Sequence, residues 1–281
     1  MRRHRTTAVF LVLAGLVAAV STTPASGRQS GAVPRLVFPL VAKTDLWDNY
    51  GDPRPNGRHA GIDMENPWRA PVVAVESGSV KYWDSGLGGC MLYLYGQSGT
   101  TYMYIHLNND LTARNDNKGG CVKGVSFAVP NGAKVTGGQQ IAWNGDSGDA
   151  SGNPHLHFEV HPNDGADVNP FRHLARASKP LFAAPDGAVF SLALRGKLIA
   201  AAPGAATLTV DRVRQYPGGR WLEIDERTVE LTVPLGTELK PISQARKAAL
   251  VTAYTLKANT TPAAIVGAPG ALLLGRVAAS G

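Results

Sequence analysis

Between Pro154 and Val160 the chain reads Pro-His-Leu-His-Phe-Glu-Val. Side chains alternate along an extended strand, so His155, His157 and Glu159 fall on one face and Leu156, Phe158 and Val160 on the other. Two imidazoles about 7 Å apart, at about 3.3 Å per residue, can divide metal binding and proton handling between them. Taken alone, the pair fits a polar face turned to water equally well. His59 and Asp63 lie upstream, in Arg58-His59-Ala60-Gly61-Ile62-Asp63-Met64. Their spacing of four would suit a helix, but Gly61 and the flanking Pro and Gly residues argue for a turn or short strand with Ile62 inward. His106 ends a strand from Thr100, where alternation groups it with Tyr102 and Tyr104 and puts Thr101, Met103 and Ile105 on the other face. A hydrolytic zinc site needs three protein ligands and one open position for water. Five such residues divide into three ligands and two proton-handling helpers; spacing does not say which are which.

The elements that must position them are β-strands. The chain has 281 residues, 44% hydrophobic and 17% charged, with 32 glycines and 19 prolines. High glycine with alternating Val, Thr and Tyr favours β-structure. Strands are expected at Cys90–Tyr95, Thr100–His106 and Gln140–Trp143, and a hairpin joining Pro71–Glu76 to Ser79–Trp83. Asn108–Gly120 reads as a long polar loop, Gly145–Gly152 as a glycine-rich approach to His155, and Asp167–Pro170 as a closing segment followed by a short helical turn to Ala177. After Ser178 the composition shifts toward Ala, Pro and Val. Strands are expected there at Phe190–Leu194, Thr207–Val213, Trp221–Ile224 and Thr228–Val233, and a helix at Ser243–Thr255.

Residues 1–27 have the pattern of a secretory signal peptide: basic Met1–Arg5, an apolar run from Ala8 to Val20, then small residues. The run is too short for a comfortable bilayer span, and no stable membrane span is expected after cleavage. The formal charge is +7, which falls to 7 − 3 = +4 without Arg2, Arg3 and Arg5. A basic exported protein suits polyanionic surfaces such as bacterial walls; no nucleic-acid partner is expected. The two cysteines, Cys90 and Cys121, are expected to form one disulfide in an oxidising compartment. The expected organisation is a signal at 1–27, a catalytic domain at 28–177 and a smaller β-rich accessory domain at 178–281.

Three motifs, in order, resemble the lysostaphin and LytM type of zinc endopeptidase, which cuts peptide bonds in bacterial peptidoglycan. They are His59-Ala60-Gly61-Ile62-Asp63, Tyr104-Ile105-His106-Leu107, and Pro154-His155-Leu156-His157-Phe158-Glu159. The resemblance covers about Phe38 to Leu174. It implies an antiparallel β-sheet that floors a groove walled by loops. It also implies Zn2+ held by His59, Asp63 and His157, catalytic roles for His106 and His155, and a peptidoglycan peptide as substrate. The expected location is secreted, cell-wall associated or periplasmic. The chain departs from the smallest members in the loop from Asn108 to Gly120, which bears on groove width and substrate choice. A polar residue ahead of His59, such as Asn49 or Asn56, could occupy the open zinc position. The rival reading is a catalytically silent wall protein that activates another hydrolase; such a protein is expected to lose a ligand, and none is missing.

Overall fold

The computed structural model describes residues 32–55, 57–183, 189–202, 205–216, 220–232, 249–255 and 272–276. The expected signal at 1–27 and Asn56 lie outside these described residues. A small hairpin, β1 (Pro53–Arg54) and β2 (Gly57–Arg58), precedes β3 (Ile62–Glu65). Then come β4 (Pro71–Val73), β5 (Gly78–Ser85), β6 (Gly89–Gly96) and β7 (Thr101–Leu107). β8 (Lys134–Val135), β9 (Gln140–Trp143) and β10 (His155–His161) follow, and a short helix α1 (Phe171–Ala175) comes after them. Six strands form one antiparallel sheet in the order β3-β10-β7-β6-β5-β8. The fold is mainly β, as the alternation predicts.

That alternation gives the sheet two different faces. Ile62, Met64, Leu92, Leu94, Tyr102, Tyr104, Leu156, Phe158 and Val160 fill the inner face and are fully buried. They pack against Phe38, Leu40, Val72, Phe127, Ile141 and Ala142 in one core. Each such aliphatic or aromatic side chain contributes about 1.5–3 kcal/mol on burial. The outer face carries Asp63, Trp83, Tyr93, Ile105, His157 and Glu159. One side of the sheet therefore fixes the backbone while the other stays available for chemistry.

The expected hairpin at 71–83 does not form. β4 pairs with β9 in a separate two-stranded ribbon, and β5 pairs with β6 and β8. Val72, Val73, Ala74 and Val75 are all buried, so this run belongs to the layer behind the sheet, where a half-wet hairpin arm would not bury four consecutive residues. Cys90 is joined to Cys121, closing a 31-residue separation; in the chain-entropy account such a constraint is worth about 3–4 kcal/mol. It ties the far end of the 108–120 loop to β6.

The C-terminal strands are longer than the sequence pattern indicates. β11 (Val189–Ala202), β12 (Ala205–Tyr216), β13 (Leu222–Thr232), β14 (Ala249–Thr255) and β15 (Leu272–Arg276) form an antiparallel sheet in the order β13-β12-β11-β14-β15. The described part of the expected helix at 243–255 is thus a strand. Ala249 to Thr255 pair residue by residue with β11, and long-range pairing overrides a weak helical propensity. Residues 243–248 lie outside the described residues. Among the described residues no helix is long and apolar enough to cross a membrane.

Candidate metal centre and active site

β3 and β10 pair antiparallel with Asp63 directly opposite His157, and His157 lies opposite Ile105 of β7 on its other side. This register sets Asp63 and His157 side by side on the outer face. His59 joins them from the turn before β3. The turn comes in tightly because residue 61 is glycine: a Cβ there would lie 2.4 Å from the Phe158 carbonyl oxygen and 2.9 Å from His157 Nε2. Alanine at 61 would push His59 away from β10.

The three polar atoms so gathered are His59 Nε2, Asp63 Oδ1 and His157 Nδ1, each 2.8–2.9 Å from the other two. Their protonation follows from their outer partners. His59 Nδ1 lies 2.7 Å from the Asn49 carbonyl, to which it donates, and His157 Nε2 lies 2.9 Å from Glu159 Oε1, to which it donates. With those protons placed outward and any inner proton displaced, two imidazole lone pairs and a carboxylate oxygen face one point. Three acceptors at this separation repel one another unless a cation lies between them. They form the one group with metal-ligand geometry among the described residues.

The surrounding charge favours a cation at that point. Burial pushes the His157 imidazole down, yet Asp63 and Glu159, hydrogen-bonded on its two sides, outweigh burial and raise it to about 9. Burial likewise raises the Asp63 carboxyl, but the hydrogen bonds from His157 and His59 prevail and hold it far below the usual carboxylate range. A metal ion must displace the proton that this environment attracts.

Behind these three residues stand others that do not face the same point. Glu159 accepts from His157 on Oε1 and from His161 Nε2 on Oε2 at 2.7 Å, while His161 Nδ1 lies 2.9 Å from the Gly165 carbonyl. Burial opposes ionisation of Glu159, but these hydrogen bonds lower it to about 2. Glu159 is therefore the anion that fixes the ring and tautomer of His157. His161 continues the alternation of His155, His157 and Glu159 by two residues, and that was the signal for it. Asn49 does not enter the metal position; its side-chain oxygen accepts the Asp63 backbone N–H at 3.2 Å and its carbonyl holds His59. Arg54, from the β1–β2 hairpin, reaches Asp63 Oδ2 at 2.6 Å. Replacing Glu159 by Gln is expected to weaken zinc binding about 10- to 100-fold, read by chelator competition, with activity restored by excess zinc.

His106 corrects the simple alternation reading. Cys90 pairs with Leu107 and Leu92 with Tyr104, so Ile105 and His106 together oppose the single residue Met91. This is a β-bulge, which re-aims the residues that follow. His106 takes φ +62°, a left-handed conformation costing a non-glycine residue roughly 1–2 kcal/mol. Tyr102 and Tyr104 point into the core, whereas His106 is turned to the outer face. Its N–H donates to the Gly88 carbonyl and its Nδ1 lies 2.9 Å from the Ser147 carbonyl. The ring centroid lies 4.8 Å from that of His155 and 6.1 Å from that of His157.

His155 is held in the same way, with Nδ1 2.8 Å from the Asn153 carbonyl and Nε2 3.6 Å from Asp63 Oδ1. Both helper histidines thus spend Nδ1–H on a backbone carbonyl and keep the Nε2 lone pair for the cleft. Burial, together with the neighbouring His155, pushes His106 down to about 4, so it is a neutral base at neutral pH. All five predicted residues line one open cleft of about 680 Å³.

No residue of the 108–120 loop lines that cleft. The loop is organised around buried Asp110, whose carboxylate accepts the N–H groups of Asp116 and Asn117 and the Trp68 indole N–H. Asn115 donates to Asp146, which also holds the Gly152 N–H. The loop therefore buttresses the glycine-rich segment beside His155 from behind.

Residues 57–170 match the family model described as Peptidase family M23. An uncharacterized metalloprotease of Haemophilus influenzae is 32% identical over 114 residues, which cover 40% of this chain and 20% of that protein. The uncharacterized lipoprotein YgeR of Escherichia coli is 31% identical over 167 residues, 57% of this chain and 59% of that protein. The chain spans less than two thirds of either relative. Among solved structures, the catalytic domain of the antimicrobial peptidase lysostaphin from Staphylococcus simulans is 27% identical, with a TM-score of 0.37, over 48% of this chain and 92% of that one. The cofactor is zinc, which the donor set of two imidazoles and one carboxylate fits.

Proposed function

We propose, from the match of residues 57–170 to the model of peptidase family M23, that the chain is an exported zinc endopeptidase that hydrolyses amide bonds in peptidoglycan peptides or cross-bridges. In this reading residues 1–27 direct export, 28–177 carry the peptidase and 178–281 form an accessory domain. The protein works outside the cytoplasm, at the wall or in the periplasm. The observation that carries the proposal is the convergence of three metal-ligand atoms with two uncommitted imidazole nitrogens in one cleft.

His59, Asp63 and His157 hold the ion through Nε2, Oδ1 and Nδ1. When bound, zinc brings the pKa of water to about 7 and polarises a carbonyl as a Lewis acid. His155 and His106 do the proton work at Nε2, each ring locked by its Nδ1–H. One takes the proton from the attacking water at Nε2, faces the oxygen on which charge develops as Nε2–H, and then passes that same proton to the departing amine, while the other orients the water through its Nε2 lone pair. The products are a free carboxylate and a free amine. The silent-regulator alternative has less support, since all five positions are retained and gathered in one cleft. Purified peptidoglycan is expected to show new amino groups on treatment with the zinc-loaded protein, and none after chelation. Release that persists in chelator would contradict the assignment.

A further inference from the structure

The outer face of the sheet continues beyond the cleft. Register carries the row His157–Ile105 across the bulge to Met91 and then to Trp83. The next row runs Glu159–Met103–Tyr93–Lys81, and the one after it His161–Thr101–Tyr95–Ser79. Trp83 therefore stands three strand spacings from His157, about 14 Å at about 4.8 Å per strand. Trp83 and Tyr95 are 42% and 37% exposed. The Trp83 and Tyr93 ring centroids are 5.4 Å apart, and the Lys81 ammonium lies 4.4 Å from the Trp83 ring centre.

Single exposed aromatics are ordinary. Trp83 and Tyr93 in ring contact, with Tyr95 two residues further along the same face of β6, form a platform on the face that also holds the proposed metal ligands. Core packing does not account for it, because Val80, Leu92 and Leu94 fill the inner face of the same strands. Tyr93 and Tyr95 stand on β6, which is paired on both sides by β5 and β7. A peptide read by strand addition finds no free main-chain groups on β6, although β5 is paired with β8 only at Gly78 and Ser79. The strip offers aromatic rings, with the Lys81 ammonium lying over the Trp83 ring. That chemistry suits a ligand with flat C–H faces and polar substituents: a pyranose stacks on the rings while its acetamido oxygen accepts from Lys81.

We propose that Trp83, Tyr93, Tyr95 and Lys81 form a subsite for the N-acetylated amino-sugar strand of the wall, lying on the same floor as the peptide-cutting centre. The inference rests on the peptidoglycan reading and deepens it. The glycan would lie across β5 and β6 while its attached peptide reaches along the floor to His157.

Titration of the zinc-loaded full-length protein with tetra-N-acetylchitotetraose, followed calorimetrically, tests the subsite. Saturable binding is expected, about tenfold weaker in Trp83→Ala and largely recovered in Trp83→Phe. In kinetics, Trp83→Ala is expected to lower kcat/KM about tenfold on glycan-linked wall, through KM, and to leave cleavage of a soluble glycan-free peptide unchanged. Equal sugar binding by wild type and Trp83→Ala would overturn the proposal. So would an equal loss on both substrates, which would make the strip a peptide subsite. Trp83-dependent sugar binding by a protein that cleaves no wall peptide would support the subsite while contradicting the peptidase reading, so the two fail separately.

Discussion

Replacing His157 by alanine is expected to abolish both stoichiometric zinc binding and peptide hydrolysis. In the proposed assignment His157 supplies one of three protein ligands, and structural zinc sites gain about 10–16 kcal/mol in all from four ligands. Loss of one ligand at roughly 3–4 kcal/mol lowers affinity roughly 10²- to 10³-fold. The loss is compounded by charge: His157 stands between Asp63 and Glu159, at 2.8 and 2.9 Å, and its removal leaves two carboxylates without the imidazole between them. Metal analysis after dialysis should find the variant empty while circular dichroism still reports a folded β-protein. The fold is expected to persist because Leu156, Phe158 and Val160 on the other face of the strand remain fully buried. A variant with normal zinc content would show that the ligand set is misassigned.

His106→Ala is expected to give the opposite pattern, with full zinc content and a kcat lower by about 10²- to 10⁴-fold, the usual range for a lost acid–base group. Two effects must be separated, since residue 106 has φ +62° and alanine there is strained. His106→Asn serves as the control, because asparagine tolerates the left-handed region and cannot act as the base. Both variants should be equally slow. The pH profile adds an independent reading. Burial and the neighbouring His155 depress His106 to about 4, so a limb governed by this group should place the acid fall of kcat/KM near pH 4. That is well below the ordinary histidine range, and zinc content should be followed in parallel. Full activity in His106→Ala would remove the role assigned to it.

Much of the site was legible because a strand's period of two is a strong geometric rule. His155, His157 and Glu159 could be placed on one face from sequence alone, and the dry face of Leu156, Phe158 and Val160 came with them. His106 was identified by type and motif but put on the wrong face. A bulge adds one residue to one strand, and nothing local in Tyr104-Ile105-His106-Leu107 marks where alternation breaks. The partner strand decides that, through the pairing of Cys90 with Leu107 and Leu92 with Tyr104. The hairpin expected at 71–83 failed for a related reason: Val72 to Val75 are strand-forming, but which strand they pair with depends on the layer that buries them. His161 was missed because it acts on Glu159 rather than on the ion, and Asn49, expected as an occupant of the open metal position, instead holds His59. A long-range register places the first, and a backbone carbonyl does the work of the second.

The central claim is hydrolysis of a peptide bond in the wall by this centre. Mass spectrometry of the fragments released from peptidoglycans of defined composition tests it most directly. The expected result is fragments with glycan bonds intact and a new amine and carboxyl at one position in the peptide, produced by the zinc-loaded wild type and absent with His157→Ala. Cleavage within the glycan, or release by His157→Ala at the wild-type rate, would contradict it.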